Sequence, residues 1–265
     1  MTGAAGRVGA ILMRHVYLWR GSWTRLFDLV YWPLLQVMVW GFMTEFLAGK
    51  SSWVAQAGGV FIGAVLLWDV LVRGQFGMTL SLLEEMWSRN FANLFVSPLR
   101  PWEFATALMC LSIARSLIGV VPAALLAIPL FGYSIFGLGL PLLAFWTLLL
   151  VFGWGVGLAL CGLLVRFGLA AESYAWASIF VLAPFSGVYY PISTLPAWLQ
   201  PFAWSLPTTY IFEGMRAVMI GGALDWGLLA GALLLDLVYV ALGYAVFLWA
   251  FRRARERGTL LASGE

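Results

Sequence analysis

The chain has 265 residues, of which 63% are hydrophobic and only 10% charged, and its mean hydropathy is +0.93. A water-soluble domain averages about 45–50% apolar and about 25% charged residues, so this composition excludes an ordinary soluble enzyme and specifies an all-α polytopic membrane protein. At about 20 apolar residues per helical crossing, the length holds six or seven spans, short loops and no separate soluble domain.

The pI near 9.0 does not signal nucleic acid. Lys50 is the one lysine, and the arginines gather beside apolar runs, where lipid headgroups are their natural partners. Cys110 and Cys161 both fall in apolar segments without metal-site spacing and read as core thiols.

In chain order, residues 7–28 are predicted to be an interfacial helix. Val8, Leu12, Val16, Trp19, Trp23, Leu26 and Val30 recur on one face, and Arg7, Arg14, Arg25 and Asp28 fall on the opposite one. Such a helix lies along anionic headgroups before the first crossing. A secretory signal fits poorly, because no small-residue cleavage site follows the apolar run. Span one is predicted at 29–47. Beyond it, Gly49-Lys50-Ser51 imitates the end of a phosphate-binding loop, but the glycine required five positions before Gly49 is Thr44. With no second lysine available, any ATP used must be bound by another chain.

Span two, predicted at 57–83, carries Asp69 and Arg73 four apart and so on one helix face. The pair fits two readings, a functional group in the bundle interior or an ion pair near the headgroups. Next comes a mixed-charge island, Glu84 to Phe104, with a helix predicted over 84–97. Glu84, Glu85, Arg89, Arg100 and Glu103 offer both signs to a partner, while Met86, Trp87, Phe91, Leu94 and Phe95 offer an apolar anchor. A solvated loop is the alternative.

Fifty residues without a charge separate Arg115 from Arg166, which suits two spans, 111–130 and 142–165, joined by a hairpin over Phe131 to Pro141. Gly153, Gly157 and Cys161 give the second of these a small-residue seam. Span five is predicted at 173–190. Pro191, Pro196, Pro201 and Pro207 then forbid a continuous helix in a stretch still apolar enough for membrane depth, so 191–210 is predicted to dip in from outside and return. Glu213 and Arg216 lie three apart on the helix that follows. Span six, 226–251, carries Asp236 near its middle. With six spans nearly all arginines outside the spans fall on one side, and only Lys50 and Arg216 on the other. Arginine-rich loops stay in the cytoplasm, so both termini are expected there.

The order of these elements resembles the membrane subunits of type-2 ABC exporters along essentially the whole chain. The specific signals are Ser97-Pro98-Leu99 with Arg100 and Glu103, and Gly187, Pro191, Leu195, Pro196, Pro207, Glu213 and Arg216 in the outer segment. The resemblance implies a coupling helix, with Glu84, Glu85, Arg89 and Phe91, seated in a groove of a separate ATPase subunit. It also implies two ATPase copies that use ATP and Mg, a second permease copy around a central path, and an outer gate built from the re-entrant segment. The chain itself would perform no chemistry and bind no cofactor. Asp69 and Arg73 depart from the family pattern. Two other classes are weighed against this one: a membrane-embedded enzyme acting on lipid, which needs converging acids, histidines or metal ligands, and an ion- or proton-coupled carrier using Asp69, Arg115 and Asp236. The substrate stays open among drugs, lipids and lipid-linked polysaccharides.

Overall fold

The computed structural model describes residues 3–48, 52–96 and 99–256. Lys50, Ser97 and Pro98 lie outside them. Among the described residues every regular element is helical: α1 (Ala4–Arg20), α2 (Trp23–Ala48), α3 (Ser52–Trp87), α4 (Phe91–Val96), α5 (Pro101–Phe131), α6 (Leu140–Phe167), α7 (Glu172–Leu182), α8 (Gln200–Trp204), α9 (Pro207–Gly221) and α10 (Trp226–Glu256).

The amino-terminal element ends earlier than the periodicity suggested. Gly21 and Ser22 cap α1 with bonds from their N–H groups to the carbonyls of Tyr17 and Trp19, so the interfacial helix stops at Arg20 and α2 starts at Trp23. The expected coupling helix 84–97 is two pieces, the end of α3 and the short α4. The third apolar helix begins at Pro101, well before residue 111.

Among the described residues five helical runs are long and apolar enough to cross a membrane: Trp23–Leu47, Gly59–Trp87, Pro101–Phe131, Leu140–Phe185 and Trp226–Glu256. The fourth run bends, because Gly168 takes a positive φ of 65° between α6 and α7. The α-helix expected over 173–190 gives way at Leu182 to a 3-10 turn, Ala183–Phe185, and then to turns and bends as far as Tyr190.

Helices α3 and α6 form the centre, each 72% buried over its most apolar window, with α2 and α10 far more open outside them. Lipid is as apolar as a leucine side chain, so close packing rather than water exclusion holds these helices together. Small residues on α6 permit it on two faces. A Cβ on Gly153 would lie 2.9 Å from the Leu71 carbonyl oxygen of α3, and one on Gly155 would lie 2.9 Å from the Tyr239 backbone of α10. Gly155→Val should therefore destabilise the detergent-solubilised protein by about 1–3 kcal/mol through overpacking. Gly137→Ala, with nothing within 4 Å of the new atom, should leave the thermal midpoint unchanged.

The proline-broken segment before α9 meets α10 at Ser205, whose carbonyl accepts a hydrogen bond from the Tyr239 hydroxyl at 3.4 Å. Tyr239 is thirteen residues into α10, about 20 Å along its axis. From there α9 runs back antiparallel to α10, passing Gly231 at Tyr210 and Leu228 at Gly214, and reaches Tyr133 and the start of α3 at Met219.

Candidate coupling surface and buried charges

Charge drives the construction of the end where α1 meets α3 and α5. The carboxylates read as a display toward a partner are turned inward. Glu103 is fully buried, and Arg7 of α1 binds it through Nε at 2.9 Å and Nη2 at 2.5 Å. The same carboxylate accepts the Arg100 N–H at 2.9 Å. Arg100 is thus the N-cap of α5, Pro101 the first helical residue and Glu103 the N3 acceptor, half of a capping box. Glu85, 2% exposed, takes Arg14 of α1 at 2.9 Å and the Asn90 side-chain amide at 2.7 Å. Glu84 faces Arg115 of α5 at 3.4 Å. Arg7 and Arg14 are therefore inward-facing straps, not members of a solvated polar face, because a buried carboxylate needs a partner more than an arginine needs water.

His15 is buried beneath this layer. Its Nδ1 donates to the Ile11 carbonyl at 3.0 Å, and burial holds the imidazole below its ordinary pKa and hence neutral. The apolar counterpart joins Ile11 and Trp19 of α1 to Leu82, Leu83 and Met86 of α3, with Phe91 and Phe104.

Helix α3 ends in a tight reversal. Asn90 N–H bonds the Glu85 carbonyl at 2.9 Å and Arg89 N–H the Met86 carbonyl at 3.0 Å, the Schellman pattern. Its left-handed position, where glycine is usual, is held by Arg89 at φ 53°. Trp87, Arg89, Asn93, Arg100 and Trp102 remain exposed around it, while Phe91 is buried and Leu99 half-buried. Nothing is described of the Phe95 side chain.

In the membrane region Asp69 and Arg73 are both buried and pair at 3.3 Å on α3. Asp236 on α10 is fully buried, and among the described residues neither carboxylate oxygen has a hydrogen-bond partner. Arg115 stacks over Trp19, 5.5 Å from the ring centroid. It also lines a cleft of about 320 Å³ together with Arg25, Asp28, Leu80 and Glu84.

The outer cluster converges from three elements. Glu213 of α9 accepts the Ile192 N–H at 2.9 Å and pairs with Arg216 at 3.1 Å. Arg216 in turn donates to the Gly187 carbonyl. Gly187 has a φ of 76°, which a side chain would strain. Pro191 starts the turn that Thr194 closes, its hydroxyl donating to the Pro191 carbonyl at 2.7 Å, and Pro207 begins α9. Leu195 and Pro196 lie outside this cluster, in the more exposed turn toward α8.

Sequence reasoning missed Arg7, Arg14 and His15. The signal was the seven-residue spacing of the two arginines, which puts both on one side of α1. Among the described residues no three His, Cys, Asp or Glu side chains gather as metal ligands, and both cysteines are free thiols.

The profile of the family described as ABC-2 type transporter matches residues 8–220. The chain belongs to the ABC-2 type transporter family. This permease is also 33% identical over 107 residues to the "Capsule polysaccharide export inner-membrane protein CtrC" of Neisseria meningitidis serogroup A / serotype 4A, a match covering 38% of each protein. The matched stretch is thus well under half of that relative's length. Family and apolar helices together make the permease a multi-pass membrane protein.

Proposed function

We propose that this permease forms the substrate path of an ATP-driven exporter, pairs with a second copy of itself, and is driven by two copies of a separate ATPase chain that use ATP and Mg. The observation that carries the coupling is the rigid cytoplasmic end. Two buried carboxylates tie α1 to α5 and to α3, the half-buried Glu84 ties α3 to α5, and the exposed Arg89, Asn93, Arg100 and Trp102 project from that platform. Arg89 occupies a backbone conformation that costs about 1–2 kcal/mol for a residue with a Cβ, and such outliers cluster at functional positions. A partner that presses on these exposed residues moves α3 and α5 as rigid bodies.

The six-span reading counts α6 and α7 separately. Forty-six residues in one helix would reach about 69 Å, more than twice the hydrocarbon core, and the run breaks at Gly168. With both termini in the cytoplasm, Arg7, Arg89, Arg100 and Arg252 all fall inside. The segment before α9 then dips about 20 Å from the outer side to Ser205 and returns as α9, with Glu213, Arg216 and Gly187 holding it as an outer gate.

A path between two copies suits the open faces of α2 and α7. Between them α3 shows a half-exposed stripe of Val72, Phe76, Leu80 and Glu84 at four-residue spacing. Exposed rings flank it, Tyr31, Trp32 and Phe42 on α2 and Tyr174, Trp176 and Phe180 on α7. With the capsule-polysaccharide relative, these rings favour a polysaccharide over a drug or a free lipid, since sugar faces stack on aromatic ones.

The test is a cysteine at Trp198, which is 77% exposed, in a Cys110→Ser, Cys161→Ser background. A membrane-impermeant thiol reagent should label it from outside, at a rate that changes when ATP is trapped. Labelling from the cytoplasm alone would overturn the topology, and a rate indifferent to nucleotide would remove the gate. The unpartnered carboxylate of Asp236 favours one competing reading, a proton-coupled carrier. Collapsing the proton gradient would stop that carrier, and depleting ATP would stop the exporter.

A further inference from the structure

We infer that the cleft where the first turns of α2, the last turns of α3, the middle of α5 and the first turns of α7 meet is a saccharide-binding site. Ring faces of a glycan stack there on Trp87 and Trp176, while its hydroxyls bond to Arg25, Asp28, Glu84 and Arg115. The inference rests on the exporter reading and deepens it, naming the place where the substrate first docks.

The lining chooses the ligand chemistry. It presents two arginines and two carboxylates together. A sugar hydroxyl both donates and accepts, so it satisfies groups of either sign. A phosphate only accepts and would face the repulsion of Asp28 and Glu84.

Arg115 is poised for such a ligand. Its contacts to Glu84 are long, 3.4 and 3.5 Å, and its Nε is buried with no hydrogen-bond partner among the described residues. A buried donor left unmade is costly, whereas a hydroxyl arriving from a ligand recovers that cost.

The aromatic walls are fixed before any ligand comes. Trp87 and Trp176 are 48% and 44% exposed, yet neither swings freely. The Trp87 indole N–H donates to Glu172 at 3.3 Å, and the Trp176 ring lies 4.8 Å from that of Phe76. Interfacial belts account for single tryptophans at this depth. They do not account for two open indoles facing an Arg–Glu pair across a concavity. The volume of about 320 Å³ falls at the small end of ligand sites, room for one or two sugar rings of a longer chain.

The test uses the full-length permease with its ATPase chain in its native cells, carrying p-benzoylphenylalanine in place of Trp176 or, separately, Trp87. After ultraviolet irradiation the purified permease is oxidised with periodate, captured on hydrazide and hydrolysed for sugar analysis. The expected result is a sugar-bearing adduct from both positions, and none from Leu237→p-benzoylphenylalanine on the exposed face of α10. Adding Arg115→Lys, which keeps the charge but removes Nε–H, should lower the adduct yield about tenfold, compared at equal amounts of monodisperse permease.

An adduct holding phosphoglycerolipid without sugar, an equal sugar yield from Leu237, or no sugar at either position would overturn the inference. So would a yield indifferent to Arg115→Lys. Any of these results with the ATPase chain still co-purifying would leave the exporter reading standing, whereas absence of that chain from the purified permease would remove the reading itself.

Discussion

Arg14→Glu should reduce ATP-dependent transport by about tenfold or more, because it sets a second negative charge against Glu85, and like charges forced together at a packed interface cost several kcal/mol. The native pair is 2.9 Å apart, with Glu85 only 2% exposed. Glu85 also anchors Asn90 at 2.7 Å, directly after the left-handed Arg89. Losing the strap should therefore disturb the reversal that presents the exposed residues around Arg89 as well as the docking of α1. The decisive variant is the swap, Arg14→Glu with Glu85→Arg. It restores opposite charges but not the bond to Asn90, so transport should recover part of the way. Transport into inverted vesicles and recovery of the ATPase chain on purification are the two readouts. A double variant as poor as Arg14→Glu alone would show that the pair does not act as a strap.

Asp236→Leu should separate stability from activity. The native carboxyl is fully buried on α10, with neither oxygen bonded among the described residues. Replacing it with an apolar side chain of similar size removes a desolvation cost of about 1–3 kcal/mol. The detergent-solubilised variant should accordingly melt several degrees higher. Transport should fall, because an ionisable group held at this depth against its own stability cost is a functional position by default. Asp225→Leu, at the start of α10, should change transport little and lose only the bonds its carboxylate accepts from the Gly227 and Leu228 N–H groups. A variant at Asp236 that is both more stable and fully active would show that the carboxyl serves neither path nor assembly.

The legible part of the chain was the part that lipid dictates. Apolar runs gave the long helices, the four-residue spacing of Gly153, Gly157 and Cys161 gave a seam that α3 fills at Gly153 and Gly157, and four prolines marked the broken outer segment. Pairing across elements was not legible. Periodicity assigns a charge to a helix face, and Arg7 and Arg14 were assigned to the polar face toward the lipid headgroups; only the tertiary arrangement brings Glu103 and Glu85, each more than 70 positions away, to meet them. The sequence LRPWEF was read as part of the docking island, with span three starting only at residue 111. The structure uses Arg100, Pro101 and Glu103 for the start. The reversal at Arg89 carried no sequence mark at all, because the residue in the left-handed position is not glycine. Likewise the outer cluster was half visible. Glu213 and Arg216 are neighbours on α9, but their reach to Ile192 and Gly187 depends on how the segment folds back.

If the exposed Arg89, Asn93, Arg100 and Trp102 receive force from a separate ATP-binding chain, p-benzoylphenylalanine placed at Arg89 or at Trp102, but not at Trp198, reports it in the permease co-expressed with its neighbouring genes. Irradiation should join Arg89 and Trp102 variants to an ATP-binding polypeptide and leave the Trp198 variant without that adduct. An adduct to an ATP-binding chain from Trp198, or none from either cytoplasmic position, would contradict it.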